Sequence, residues 1–440
     1  MSIEAFDIVV VGAGPGGYTA AIRAAQLGKK VALIEKSEVG GTCLNHGCIP
    51  TKTLHASTKL YSKIKKADKF GINAENVSIN LEKIIERKDR IVSQLRKGLE
   101  YLFKENKIAL IKGEGILKDA KHIEVAGRTI HAEKIILATG SRVSSLPGFE
   151  LDGKKILSSD DILKIKNVPK SLAVIGAGPM GIELGCVFND LGAKVTVFEI
   201  MPRIMPLEDE EVCAGLAQVL AKKGMEIKTN TSLKDTGSFD MVLISVGRKL
   251  NTEGFDKIGI KLEKGKVIVN DKMETNLPGI YAIGDIAGKY MFAHTAAKEG
   301  IVAAENASGK KAKMEHHAVP RCIYSDPAVA SVGLNEKEAR EKLKDIKIGK
   351  FPFRASSKSL INDERDGFIK IITDKSDKIV GIHILGGDAT EIFGEAGLAV
   401  SKQMKAEDII NTIHAHPTVY ESMYEAAENV LKQSISILNK

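Results

Sequence analysis

Short apolar runs that end on glycine recur along this chain, and the first of them sets a pattern. Asp7–Val11 (DIVVV) runs into Gly12-Ala13-Gly14-Pro15-Gly16-Gly17. An alanine-rich stretch follows over Tyr18–Leu27, then Gly28 and a second apolar run, Val31–Ile34, closed by Glu35. Period and punctuation predict strand, glycine turn, helix, strand, acid. The unit recurs: Leu172–Ile175, then Gly176-Ala177-Gly178-Pro179-Met180-Gly181, a helix from Ile182, Gly192, and Lys194–Phe198 closed by Glu199. In both copies the acid stands 23 residues after the first glycine, and the copies lie 164 residues apart. The first glycine of such a turn allows the tight bend and the second lets a pyrophosphate approach the backbone. The third lets helix and strand pack closely, while the helix N-terminus faces the phosphates and the acid accepts from ribose hydroxyls. Two copies predict two dinucleotide-binding domains, one for a resident cofactor and one for an exchanging one.

Ile135–Gly140 (IILATG) and Val242–Gly247 (VLISVG) are further buried-type strands running into glycine, one per domain, and Ile280–Asp285 (IYAIGD) is another. From about His317 the pattern changes. Alternating segments (Gly367–Thr373, Ile379–Leu385) mix with helical ones (Thr390–Lys402), predicting an antiparallel sheet with helices. Residues 54–108 read mostly as lysine-rich helix. The fold class is α/β: two Rossmann-like nucleotide-binding domains followed by a C-terminal α+β domain.

Composition narrows the class. No apolar run approaches the ~18 residues of a membrane helix. The opening MSIEAF has no basic head before an apolar stretch, so no secretory signal is expected. The 64 basic and 56 acidic residues leave a net charge of +8, spread along the chain. A run such as KIKKADK (Lys63–Lys69) reads as a solvated helix face rather than a nucleic-acid site. The expectation is a cytoplasmic protein with neither nucleic acid nor membrane as partner.

Five cysteines are too few for a disulfide scaffold. Cys186, Cys213 and Cys322 stand alone in apolar surroundings and are expected to fill space. Cys43 and Cys48 differ, sitting in GGTCLNHGCIPTK (Gly40–Lys52). On an ideal helix the rise alone separates such a pair by ~7.5 Å, and a bridge needs Cα atoms within ~7 Å. A bridge therefore demands a distorted helix start, which Gly47 and Pro50 can supply. Two unpaired thiols or half a metal site are the bland alternatives. C-x₄-C is not a zinc spacing and no second cysteine pair completes four ligands, so no metal is expected. A redox-active dithiol, with a thiolate pKa lowered by a helix N-terminus or a cation, is the better reading. Near the other end IHAHPTVYE places Glu421 five residues after His416. That carboxylate could orient the imidazole as a general base, or the histidine could be structural.

Taken together, these segments resemble the class I pyridine nucleotide-disulphide oxidoreductases nearly end to end. GAGPGG with Glu35 resembles the FAD fingerprint and GGTCLNHGCIPTK the redox-disulfide helix. GAGPMG with Glu199 resembles the NAD fingerprint. SVGR (Ser245–Arg248), AIGD (Ala282–Asp285) and MFAH (Met291–His294) resemble later cofactor motifs. IYSDPAVASVG (Ile323–Gly333) and HAHPTVYE resemble the dimerisation domain.

Within the family, "CLN-x-GCIP" and "HAHPT" resemble the members that oxidise dihydrolipoamide with FAD and NAD. A related FAD-dependent reductase of another small disulfide is the nearest rival. Glu199 resembles NAD-dependent members, because a carboxylate repels a 2′-phosphate.

The resemblance implies that His416, oriented by Glu421, takes a substrate thiol proton, that Cys43 is the interchange thiol and that Cys48 faces the flavin. Lys52 resembles the family lysine beside the flavin, with Glu183 its partner. Asp285, Ala293, Gly115, Gly41, Thr42, Gly140, Gly247 and Arg248 resemble further cofactor contacts. It also implies a homodimer with active sites shared between subunits, and a lipoylated carrier protein from outside the chain, since no lipoyl domain precedes Ser2. The implied domains are 1–146 (FAD), 147–270 (NAD), 271–316 (central, completing the FAD site) and 317–440 (interface). One departure stands out. Residues Ile108 to Ile135 leave room for a small β-meander in the first domain, whereas the shorter stretch from Ile227 to Met241 does not in the second.

Overall fold

Proline needs no N–H partner in the first turn of a helix and its φ is already helical, and this decides where both fingerprint helices begin. They run over Pro15–Gln26 and Pro179–Asp190, with Gly14 and Gly178 as the residues before the first turn. Apolar periodicity alone starts them three residues later. The computed structural model describes residues 4–288 and 290–439, so the first three residues of MSIEAF, Ser2 among them, lie outside it.

Contacts divide the chain into two units. The first comprises Met1–Leu54, Asn80–Ser144 and Gly247–Glu315. At its centre is a sheet in the order Ala109–Lys112, Val31–Glu35, Glu4–Val11, Arg128–Leu137, His122–Val125, Ile116–Leu117. The first four strands are parallel and the last two return antiparallel, forming the anticipated meander. Ile280–Ala282 adds to Arg128–Leu137 in parallel. The long helix Leu81–Glu105 is capped by Asn80, which accepts from the Lys83 N–H at 3.0 Å.

The second unit comprises His55–Ile79, Ser145–Val246 and His316–Lys440. It holds a parallel sheet, Glu226–Lys228, Lys194–Phe198, Ser171–Ile175, Met241–Ile244 and Ile156–Leu157. It also holds an antiparallel one, Arg321–Ile323, Ala328–Gly333, Ile379–Gly386, Phe368–Asp374 and Ile346–Pro352. Between Lys228 and Met241 the described residues form no strand. Leu233 and Phe239 from that short connection instead pack on the sheet with Phe198, Val242 and Ile244. Residues 54–108 are mostly helical, as read from the sequence: Cys48–Ile64 and Leu81–Glu105 are α-helices and Ala67–Phe70 is a 3₁₀ turn, with residues 71–80 irregular between them. Cys186 and Cys213 are buried, while Cys322 is only half-buried.

A buried ionic cluster ties the two sheets of the second unit together. Lys370, on the strand Phe368–Asp374, has a side chain only 2% exposed. Its Nζ lies 3.0 Å from Asp209 Oδ1, 2.7 Å from Glu336 Oε2 and 3.5 Å from Glu211 Oε2. Asp209 caps the helix Glu210–Lys222 by accepting from the Glu211 N–H, and Glu336 begins the helix Glu336–Leu343. Two helix N-termini, where carboxylates are favoured, thus converge on one buried ammonium. Burial opposes ionisation of Asp209 and Glu336, but His383 and Lys370 hold the first below the usual carboxylate range, and Lys370 and Arg340 hold the second there. Burial likewise opposes the Lys370 charge, and the carboxylates raise it above the ordinary lysine value.

A depressed carboxylate contributes stability above its unfolded pKa and loses it as pH falls through the folded value. The wild-type denaturation midpoint is therefore expected to fall below about pH 4. Lys370→Met leaves the buried Asp209 carboxylate without its cation, so it is expected to cost about 3–5 kcal/mol at neutral pH. In that variant acidification towards pH 5 should restore stability, because protonation then removes the uncompensated charge. Urea titrations at several pH values check both signs; a variant that loses stability in parallel with wild type would contradict the cluster's role.

Candidate redox site

Backbone geometry explains the glycines of both fingerprints. A Cβ at Gly12 would sit 2.3 Å from the Ala138 carbonyl oxygen, and one at Gly17 1.8 Å from that of Gly12. In the second copy the values are 2.4 Å from Ser245 O at Gly176 and 2.1 Å from Gly176 O at Gly181. These four positions close the turn and seat the helix. Around a Cβ at Gly178 nothing lies within 4 Å, and around one at Gly14 only Gly41 Cα, at 3.9 Å. The middle glycines thus face open space at a helix N-terminus, which is what a pyrophosphate needs.

The acids are held alike. Glu35 Oε2 accepts from the Ala13 N–H at 2.7 Å and its Oε1 from the Ser37 N–H at 2.8 Å. Glu199 Oε2 accepts from Ala177 and its Oε1 from Met201, both at 2.8 Å. Each oxygen keeps a lone pair for a ribose hydroxyl.

The cysteine pair hangs from the first turn. The Gly40 N–H donates to the Ala13 carbonyl at 2.8 Å. A Cβ on Gly41, where φ is +59°, would lie 2.6 Å from Gly14 Cα. The helix Gly41–His46 stops at Gly47, whose φ and ψ are −136° and −108°, and a new helix, Cys48–Ile64, begins at the next residue. The distortion anticipated from Gly47 is therefore a complete break. Pro50 falls in the first turn of the new helix, where it removes no hydrogen bond.

Cys43 and Cys48 lie side by side, and the Cys48 side chain hydrogen-bonds Cys43. That bond, burial and the neighbouring sulfur push the Cys43 thiol up. Lys52, one turn along the new helix, and the Cys48 N–H at its start pull the other way. The direction is opposite to the lowered value expected from the sequence. In the reduced pair the second sulfur reverses the sign, because a thiolate already formed resists a second beside it.

Around the pair runs a chain of hydrogen bonds. Arg248 Nη2 donates to Thr42 Oγ1 at 3.3 Å and to the Ser141 carbonyl at 2.9 Å. Its Nε donates to Ser141 Oγ at 2.7 Å, and Ser141 Oγ donates to Asp285. Thr42, Arg248 and Asp285 were expected here; Ser141 was missed. It enters because Ser141–Val143 pairs antiparallel with Arg248–Leu250. Glu299, 1% exposed, was missed too: its Oε2 accepts from the Gly284 N–H at 2.7 Å and fixes the turn that carries Asp285. Ala293 begins the helix Ala293–Ala307. Gly140 and Gly247 adopt φ of 66° and 113°, and a Cβ at Gly115 would press on Val11 at 3.0 Å.

The remaining candidates lie in the second unit. Glu183 is buried on the second fingerprint helix, where its Oε1 accepts from the Tyr324 N–H at 2.9 Å. His416 Nδ1 lies 2.9 Å from Glu421 Oε1. Glu421 Oε2 accepts from the Thr418 N–H at 2.9 Å. Burial opposes the Glu421 charge, but His416 and Thr418 hold its carboxyl below the usual range. The proton between the ring and the carboxylate sits on Nδ1, so Nε2 is left as a base on a side chain 72% exposed.

Comparison with known proteins agrees with this geometry. Residues 6–300 match the family described as pyridine nucleotide-disulphide oxidoreductase, and residues 319–427 match its dimerisation domain. The chain is 42% identical to dihydrolipoyl dehydrogenase of Chlamydia trachomatis, over 96% of each protein. It is 41% identical to dihydrolipoyl dehydrogenase of Thermus scotoductus, over 100% of each. Among solved structures, the HOCl-induced flavoprotein disulfide reductase RclA from Escherichia coli superposes with a TM-score of 0.86 at 26% identity, covering 96% of this chain and 99% of that one. Among the described residues no helix is long and apolar enough to cross a membrane. The chain belongs to the pyridine nucleotide-disulphide oxidoreductase family, dimerisation domain included.

Proposed function

We propose that this protein oxidises protein-bound dihydrolipoamide to lipoamide and reduces NAD⁺ to NADH, as a cytoplasmic homodimer. The observation that carries the reading is the His416–Glu421 pair: a dithiol substrate must lose a proton before it can attack, and Nε2 is free to take it. The names of the relatives support the substrate.

In the oxidised enzyme Cys43 and Cys48 form a disulfide. His416 takes a substrate thiol proton, and the resulting thiolate attacks Cys43 Sγ. The Cys43–Cys48 bond breaks, Cys48 leaves as thiolate, and a mixed disulfide joins substrate to Cys43. The second substrate thiol displaces Cys43, its proton passing to the departing Cys43 sulfur, which closes lipoamide and leaves the cysteine pair reduced. Bound FAD supplies the two-electron relay from this pair to NAD⁺. Gly12, Gly14, Gly17 and Glu35, with Gly41, Thr42, Lys52, Gly115, Gly140, Asp285 and Ala293, would hold it. Gly176, Gly178, Gly181 and Glu199 would serve NAD, Glu183 keeps the role with Lys52 that the resemblance gives it, and Gly247 and Arg248 complete the cofactor contacts. The four-part division at residues 146, 270 and 316 belongs to the same reading. His416 serves the cysteine pair of a second copy, and the lipoyl group arrives on a separate carrier protein.

Purified protein should reduce NAD⁺ with dihydrolipoamide and not reduce glutathione disulfide or mercuric ion with NADPH. A clear preference for NADP would remove the argument from Glu199. His416→Ala should lower kcat by about 10²–10⁴-fold, the usual contribution of a general base.

Mixing His416→Ala and Cys43→Ala chains, each inactive alone, should restore activity in hybrid dimers, which regain one intact site in place of two. No recovery in verified hybrids would place both groups of a site in one subunit.

A further inference from the structure

The segment Asn411–Pro417, between the helices Ala406–Ile410 and Glu421–Val430, is exposed at every residue except His414. Ile413 on one side is 98% exposed and His416 on the other 72%, whereas the His414 side chain is 8% exposed. A loop with one buried side chain is anchored by it. His414 Nε2 lies 2.9 Å from Glu395 Oε1, on the helix Phe393–Ser401. Its ring also packs at a tilt against Tyr424, with centroids 6.0 Å apart, and Tyr424 donates to Glu428. The Nδ1 atom is buried and makes no hydrogen bond. The ring proton therefore belongs on Nε2, where Glu395 accepts it.

Packing alone does not hold this ring. Beside it lies a cavity of about 340 Å³ lined by Leu398, Met404, Ile409 and Thr412 as well as Glu395 and His414. A ring freed from Glu395 has room to move, and the loop would move with it. His416 is two residues away, and its hydrogen bond to Glu421 fixes the ring only if the backbone beneath stays put.

We propose that Glu395 and His414 form a positioning clamp for the loop that presents His416. The clamp aims the base and touches neither substrate nor cofactor. This rests on the proposed role of His416. A misplacement of about 1 Å in a reacting group can cost up to about a hundredfold in rate.

The test uses the full-length, FAD-loaded dimer. Glu395→Leu removes the acceptor; Glu395→Gln keeps a carbonyl oxygen for the Nε2 proton. Expected for Glu395→Leu is a fall of roughly tenfold to a hundredfold in kcat with dihydrolipoamide, with KM within about twofold. Glu395→Gln should recover most of the loss. NADH-driven reduction of a quinone, which needs no base at His416, should stay unchanged in both, as should the thermal midpoint. A second readout needs no substrate. Acylation of His414 by diethyl pyrocarbonate, followed by mass spectrometry, should be slow in wild type and several-fold faster in Glu395→Leu.

Equal losses in the two variants, or a loss shared by quinone reduction, would make Glu395 merely structural and overturn the clamp. So would unchanged kcat and acylation in Glu395→Leu. Wild type inactive on dihydrolipoamide would instead sink the substrate reading, and the acylation rates would still decide the clamp.

Discussion

One residue in each nucleotide fold carries more of the architecture than its size suggests. The N–H of Ala13 donates to Glu35, and its carbonyl accepts from Gly40 at 2.8 Å. The turn, the end of the second strand and the start of the cysteine helix are therefore tied at a single alanine. Ala177 is used in the same way: its N–H donates to Glu199 and its carbonyl accepts from Met205 at 2.9 Å. The second tie holds a different segment. Met205 leads to Asp209 and the buried Lys370 cluster, so one copy of the turn positions a dithiol and the other anchors a structural bolt. A repeated backbone device thus serves two ends, because the chain attaches a different segment to each copy.

The thiol chemistry depends on the same placement. The break at Gly47 turns Cys48 into the first residue of a helix, so its N–H points at the Cys43 sulfur. That favours a thiolate at Cys43, as does Lys52. The partner sulfur opposes both and prevails in the reduced pair. A pair in which one sulfur opposes ionisation of the other avoids two adjacent charges, which suits a site that must hold electrons until an acceptor arrives.

Much of this was legible in the sequence because it is local. The fingerprints, the cysteine spacing and the His416–Glu421 pair each lie within a stretch of at most 24 residues, and period and turn chemistry act at that range. Ser141, Glu299 and Lys370 were not legible. Ser141 acquires its role by pairing with a strand 107 residues away. Glu299 looks like any acid on a helix until Gly284 is folded against it. Lys370 sits in an alternating strand where a lysine ordinarily faces water, and only three carboxylates from distant helices make its burial tolerable. Long-range partners leave no periodic trace, so no reading of spacing could have found them.

The short connection after Lys228 shows how a fold can lose a substructure without losing its site. In the first unit Ile123 and Val125 from the meander join the core beneath the sheet. In the second, Leu233 and Phe239 cover the equivalent need from an irregular loop, with Phe239 edge-on to Phe198 at 6.0 Å. The apolar face still has to be shielded from water, and two well-placed side chains do this with fewer residues than two strands. The phosphate-facing turn depends on Gly176, Gly178 and Gly181 and on the bond from Ala177 to the Glu199 carboxylate; the connection meets Glu199 at its main chain, where the Thr231 N–H donates to the Glu199 carbonyl at 2.9 Å. The geometry of the turn matches the first copy to within a few tenths of an ångström at each close approach. Nucleotide recognition at the turn and coverage of the sheet are therefore separable demands, and only the second has been met here by a shorter route.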